Sequence, residues 1–263
     1  MGTLKALIYR ELYISRKYYI TGILTALLFS VMGILVRLSM LYGNLANLDE
    51  EAFELVDTIT YYGLTYMISY AAFNLVDNTD VILSDFRSNW RMFSFTLPVT
   101  PVKNILAKYI IKLGAFCFAM VLSTANGAII GAFSGREFGA LQILNFFIFA
   151  NFWLLVDLFR GPIMLASGTE KGFQMAHWGF IIPMAAIMLP LMSKVTTTMA
   201  EIAAESEAEA LSPDQQMFLV QEKMIGSLEE LHDKIVVWMP LLTVVLFVLG
   251  FLICVQCLKR REK

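Results

Sequence analysis

Residues Tyr19–Leu41 read YITGILTALLFSVMGILVRLSML, with a single charged side chain, Arg37, near the end. A helix needs about 20 mainly apolar residues to cross a bilayer core. This run is long enough, and its reading decides the solvent of the fold. The rest of the chain follows suit. Of 263 residues, 58% are hydrophobic and 16% charged, against about 25% charged in an ordinary soluble domain. Mean hydropathy is +0.66. A soluble domain of this length could bury a core but would still need a polar surface, which this composition does not supply. Five further runs are long enough to span, near Thr58–Leu83, Ile105–Phe133, Leu141–Ala166, Met175–Ser193 and Ile235–Leu258. The fifth is the shortest and holds Pro183 and Pro190, which membrane helices tolerate. The expected fold is an all-α membrane protein with six transmembrane helices in one transmembrane domain over residues 1–263.

Charge sets the orientation. Residues 1–17, 84–112, 167–174 and 259–263 carry 14 Lys and Arg, while 42–57, 134–140 and 194–234 carry 4. Basic loops stay cytoplasmic, so both termini are expected inside. The outer side holds 15 of the 22 acids. With 20 basic and 22 acidic residues overall, no basic surplus exists to hold a phosphate backbone, which argues against a nucleic-acid partner. Three cysteines are too few for a disulfide framework. The start does not read as a cleaved signal peptide, because its apolar run is too long and lacks a small-residue cleavage site.

The segments between spans carry more pattern than loops require. Residues 3–17 place Leu4, Leu7, Ile8 and Leu12 on one helical face and Lys5, Arg10, Arg16 and Lys17 around the rest. That suits an amphipathic interfacial helix over 1–18 on anionic headgroups. In SDFRSNWRMFSFTLPVTPVKNILAKYIIK, residues 84–112, Phe86, Trp90, Phe93 and Leu97 recur at helical spacing, with Arg87 and Arg91 four apart. This describes a short cytoplasmic amphipathic helix between spans two and three. Its stripe fits either a cytosolic protein or the lipid interface. Thr100-Pro101 fits an N-cap followed by proline at the first helical position. Lys103, Lys108 and Lys112 are expected to reach toward headgroups. Residues 194–234 form a long acidic outer loop, expected to be helical on both sides of Ser212-Pro213, with span six and a basic tail over 235–263.

Catalytic signatures are missing from the sequence. GxxxxGK[ST], HExxH, GxSxG and GxGxxG do not occur, so the chain is not expected to be an enzyme or to bind a nucleotide through a P-loop. Cys254-Val-Gln-Cys257 is a lone CxxC with no neighbouring His or Cys, short of the four ligands of a zinc site. Ionisable groups inside spans are the functional candidates. Asp157 and Arg160, three apart on span four, form a candidate intramembrane charge pair, either structural or on a gating path. Arg37 is placed to snorkel. Gly161-Pro162 should kink span four, and Gly127, Gly131 and Gly135 have the spacing of close helix contact.

Asp85, Trp90, Leu97-Pro98 and Lys108-Tyr109, with a basic N-terminal helix and six spans, resemble permease subunits of ABC-2 type exporters. The likeness is to the branch that exports amphipathic peptides such as phenol-soluble modulins. The resemblance implies a division of labour. A separate cytosolic ATP-binding subunit would hold ATP and magnesium, and this chain would bind no cofactor itself. The chain would form half of the translocation path in a bacterial cytoplasmic membrane, pairing with a second permease copy or paralogue. Phe86, Arg87, Trp90, Arg91 and Phe93 would form the coupling helix that enters the ATPase, within a coupling region over 84–104. The substrate would be an amphipathic or hydrophobic peptide or a drug-like molecule. Two other classes remain open: an ion-coupled secondary transporter, and a membrane sensor or immunity protein that transports nothing.

Overall fold

The computed structural model describes residues 2–42, 50–76, 100–135, 138–167 and 233–261, with a few single positions between 175 and 197. Five long helices make up the described fold: α1 (Gly2–Tyr42), α2 (Glu50–Phe73), α3 (Pro101–Ser134), α4 (Ala140–Ser167) and α5 (Met239–Arg261). A 3-10 turn, Asn74–Val76, ends α2. Four stretches are long and apolar enough to cross a membrane: Thr3–Met40, Pro101–Phe133, Ala140–Ala166 and Met239–Arg260. Leu24, Leu28, Val31 and Leu35 on α1, and Leu241, Val244, Val248 and Leu252 on α5, are all exposed. Continuous apolar faces of this kind suit lipid rather than water.

The helices follow local sequence rules. At the start of α3, the Thr100 side chain accepts from the Lys103 backbone N–H at 3.4 Å and Pro101 opens the helix. This is the N-terminus the sequence predicts. At the other end Gly135, at φ 63°, closes α3 in the left-handed conformation, which costs glycine no steric strain. Pro162 lies inside α4, and the helix continues through to Ser167.

Two features depart from the expected layout. Residues 3–17 run without a break into the first span as one 41-residue helix, about 60 Å long at 1.5 Å per residue. The bilayer core is about 30 Å thick, so α1 projects well beyond it. The side chains it packs inward over residues 3–17 are Leu7, Glu11 and Ser15, while Leu12 is exposed. α2 starts at Glu50 rather than Thr58. Its first turns carry Glu50, Glu51, Glu54 and Asp57, and it is not one of the four apolar stretches.

Contacts fix the helix directions. Glu11 meets Lys108 and Arg37 meets the Phe133 carbonyl, so α1 and α3 are parallel. Tyr18 meets Asn74 and Arg37 meets Asp57, so α2 runs opposite to α1. Lys112 meets Asp157 while α4 begins just beyond the far end of α3, so α4 opposes α3. α5 runs with α4: Met239 lies at Asn151, and Leu258 packs with Met164 and Leu165. The central core joins all five elements through Ala26, Phe73, Ala119, Phe146, Trp153 and Leu246. Rings around Phe116 add one edge-on contact, to Phe247, and two tilted ones, to Phe73 and Phe147. Gly127 admits the Phe138 ring edge, where any Cβ would collide. The small-residue spacing therefore serves packing within the subunit at this position.

Candidate functional site

Among the described residues, three buried cross-helix ion pairs stand out in a largely apolar interior. Lys108 and Lys112 lie one turn apart on α3 and are 5% and 1% exposed. The Lys108 Nζ donates to Glu11 Oε2 of α1 at 2.7 Å. Glu11 is fully buried and also pairs with Arg10. The Lys112 Nζ pairs with Asp157 Oδ2 of α4. It also stands 5.2 Å from the Tyr109 ring centroid and 5.7 Å from that of Phe247, within cation–π range. Tyr109 packs edge-on against Phe247 and Phe251 of α5, and its hydroxyl is 3.9 Å from the Cys254 Sγ. Four helices thus meet around two lysines. Burying a charge is costly unless a partner meets it, and here each lysine meets a carboxylate from a different neighbouring helix.

The third pair lies at the opposite end. Arg37 Nη1 pairs with Asp57 Oδ1, and Nη2 donates to the Phe133 carbonyl at 3.3 Å. Arg37 is 2% exposed. It does not snorkel as expected, because an acid from α2 and the open carbonyls at the end of α3 give it an internal destination. Lys108 and Lys112 also turn inward, to the carboxylates of Glu11 and Asp157, while Lys103 remains exposed.

Neutral polar bridges lie between these ends. Asn126 donates to Ser30 at 3.0 Å, joining α3 to α1. Asn151 donates to the Met239 carbonyl at 2.9 Å and accepts from Thr243 at 2.7 Å, joining α4 to α5. Among the described residues, clefts open at two helix seams. One, of about 710 Å³, lies between α1 and α2 with Tyr18, Tyr66, Tyr70 and Phe149 in its walls. The other, of about 570 Å³, lies between α3 and α5 and is walled by Leu113, Phe116, Val244 and Phe251.

Of the residues singled out in the sequence, Asp157 is at the centre of this arrangement, joined to Lys112. Arg160 lies one turn further along α4 and is partly buried. Phe86, Arg87, Trp90, Arg91 and Phe93 lie outside the described residues. Sequence reasoning did not single out Glu11 or assign Lys108 and Lys112 to carboxylates. A signal was present: Glu11 is the only acid in the first 48 residues, and it falls in a strongly basic stretch. No family profile, curated protein or solved structure matches this chain.

Proposed function

We propose that this chain is the membrane-spanning permease subunit of an ATP-driven exporter of the ABC-2 type. It has six spans and both termini in the cytoplasm, forms half of a path for an amphipathic or hydrophobic molecule, and couples to a separate ATPase. The observation that carries the reading is the position of the α3 start. The aromatic, basic segment 84–97 leads directly into the cap at Thr100. Within about three turns the same helix is joined to α1 and α4. A push delivered just before Thr100 therefore has a short route into the bundle.

Two features support the topology. The N-termini of α1 and α3 and the C-termini of α4 and α5 share one end, which gathers Lys5, Lys103, Lys259 and Arg260, as positive-inside charge requires. In addition, α4 and α5 run parallel, and α5 begins beside Asn151, about 24 Å back from the end of α4 at 1.5 Å per residue. The chain must recross that depth between them, and Met175–Ser193 is the apolar run available for it. Ion-coupled transport is the second reading, favoured by the buried carboxylates Glu11, Asp57 and Asp157. Each of these sits against a Lys or Arg, giving closed pairs rather than a relay of carboxylates.

The test is recovery of an ATP-hydrolysing subunit with the tagged full chain from mild detergent. Trp90→Ala is expected to lower that recovery with an affinity loss of about 30-fold, the cost of roughly 2 kcal/mol for truncating an aromatic anchor. Arg87→Glu and Arg91→Glu act in the same direction and more strongly at low salt. Unchanged recovery in all three variants contradicts the docking assignment.

A further inference from the structure

We infer that Lys108 and Lys112 are the coupling residues of α3, carrying its movement into α1 through Glu11 and into α4 through Asp157. The inference rests on the permease reading above and names the residues by which its site would act. Both lysines lie within the first quarter to third of α3, whose start is fixed by the Thr100 cap. They stand four apart, one helical turn, and reach different neighbours.

Stability alone does not account for these pairs. A buried ion pair contributes little net stability, because apolar residues of similar volume often hold the same helices equally well. What apolar contacts lack is direction: they let helices slide, whereas a charge-assisted hydrogen bond at 2.7 Å fixes register along the axis. The remaining contacts confine where motion can go. At the far end Arg37 ties α1 to α2 and to the end of α3, so α1 is held on α3 at both ends and follows it as one body. The ion pair that ties α4 to α3 lies at the basic end, beside the Tyr109, Phe247 and Phe251 rings of α3 and α5, while further along the two helices meet through apolar contacts such as Phe116 with Phe147. Movement of α3 therefore reaches α4 through Lys112 and Asp157.

The experiment uses the full chain copurified with its ATPase subunit. The readout is amide hydrogen exchange along residues 2–17 and 157–167, without nucleotide and after trapping with ATP and orthovanadate. In the parent, trapping changes exchange in both segments. Lys112→Met with Asp157→Leu keeps the unfolding midpoint and the bound ATPase but loses the response in 157–167 while keeping it in 2–17. Lys108→Met with Glu11→Leu shows the reverse. The swapped pair Lys112→Asp with Asp157→Lys restores the response in 157–167. Apolar double variants that respond like the parent overturn the inference. So does loss of fold in those variants with recovery in the swap, because the pairs then serve stability alone. A parent chain that brings no ATPase overturns the permease reading and this inference with it.

Discussion

Arg37 shows how a charge is accommodated within this bundle. It is the single cation in a run that otherwise reads as an uninterrupted span, and it is buried against Asp57 and the Phe133 carbonyl. Removing one member of such a pair leaves the other charge in low dielectric, which typically costs about 3–5 kcal/mol. Arg37→Met is expected to lower the unfolding free energy of the purified chain by that much, and Arg37→Met with Asp57→Leu to recover most of it. Equal losses in the single and double variants would show that the two groups do not depend on each other. The presence of important charges was legible in the sequence, because ionisable groups in apolar runs are few. Their partners were not. Arg37 with Asp57, Lys108 with Glu11 and Lys112 with Asp157 are separated by 20, 97 and 45 positions. Asp157 and Arg160 are neighbours on one helix, which sequence spacing shows, whereas the cross-helix contact to Lys112 depends on which helices pack.

Helix ends and glycines were more readable because their rules are local. Thr100-Pro101 opens α3 as the sequence predicts, whereas Gly135, expected in a close helix contact, instead caps α3 with nothing within 4 Å of a Cβ. The division at residue 18 was not readable: a change from basic-amphipathic to apolar composition marks a change of solvent, and a helix can pass through it unbroken, as α1 does. Two glycines on α3 separate packing from propensity. A Cβ on Gly127 would collide with the Phe138 ring, while nothing lies within 4 Å of one on Gly114. Gly127→Ala is expected to destabilise by about 1–3 kcal/mol through overpacking, and to cost less when combined with Phe138→Leu. Gly114→Ala is expected to be neutral or to stabilise by up to about 1 kcal/mol, the intrinsic preference of a helix interior for alanine. Unfolding midpoints of the three variants decide it, and a harmless Gly127→Ala would contradict the close approach.

At the scale of the molecule, the two ends of the bundle differ in charge. The basic end holds the cap of α3 and both lysine pairs, and the other end holds the Arg37–Asp57 pair. The proposed orientation rests on the same asymmetry. A cysteine placed in residues 201–209 is expected to react with an impermeant thiol reagent in intact cells, and one at Asn89 is expected not to. The reverse pattern would invert the topology. The claim on which the whole account depends is that the segment around Trp90 meets an ATPase. The most direct measurement places a photoreactive aromatic residue at position 90 of the full chain and irradiates it in native membranes. The account predicts a crosslinked adduct containing an ATP-binding subunit, diminished when Arg87→Glu and Arg91→Glu are introduced. Adducts with lipid alone, unchanged by those charge reversals, would contradict it.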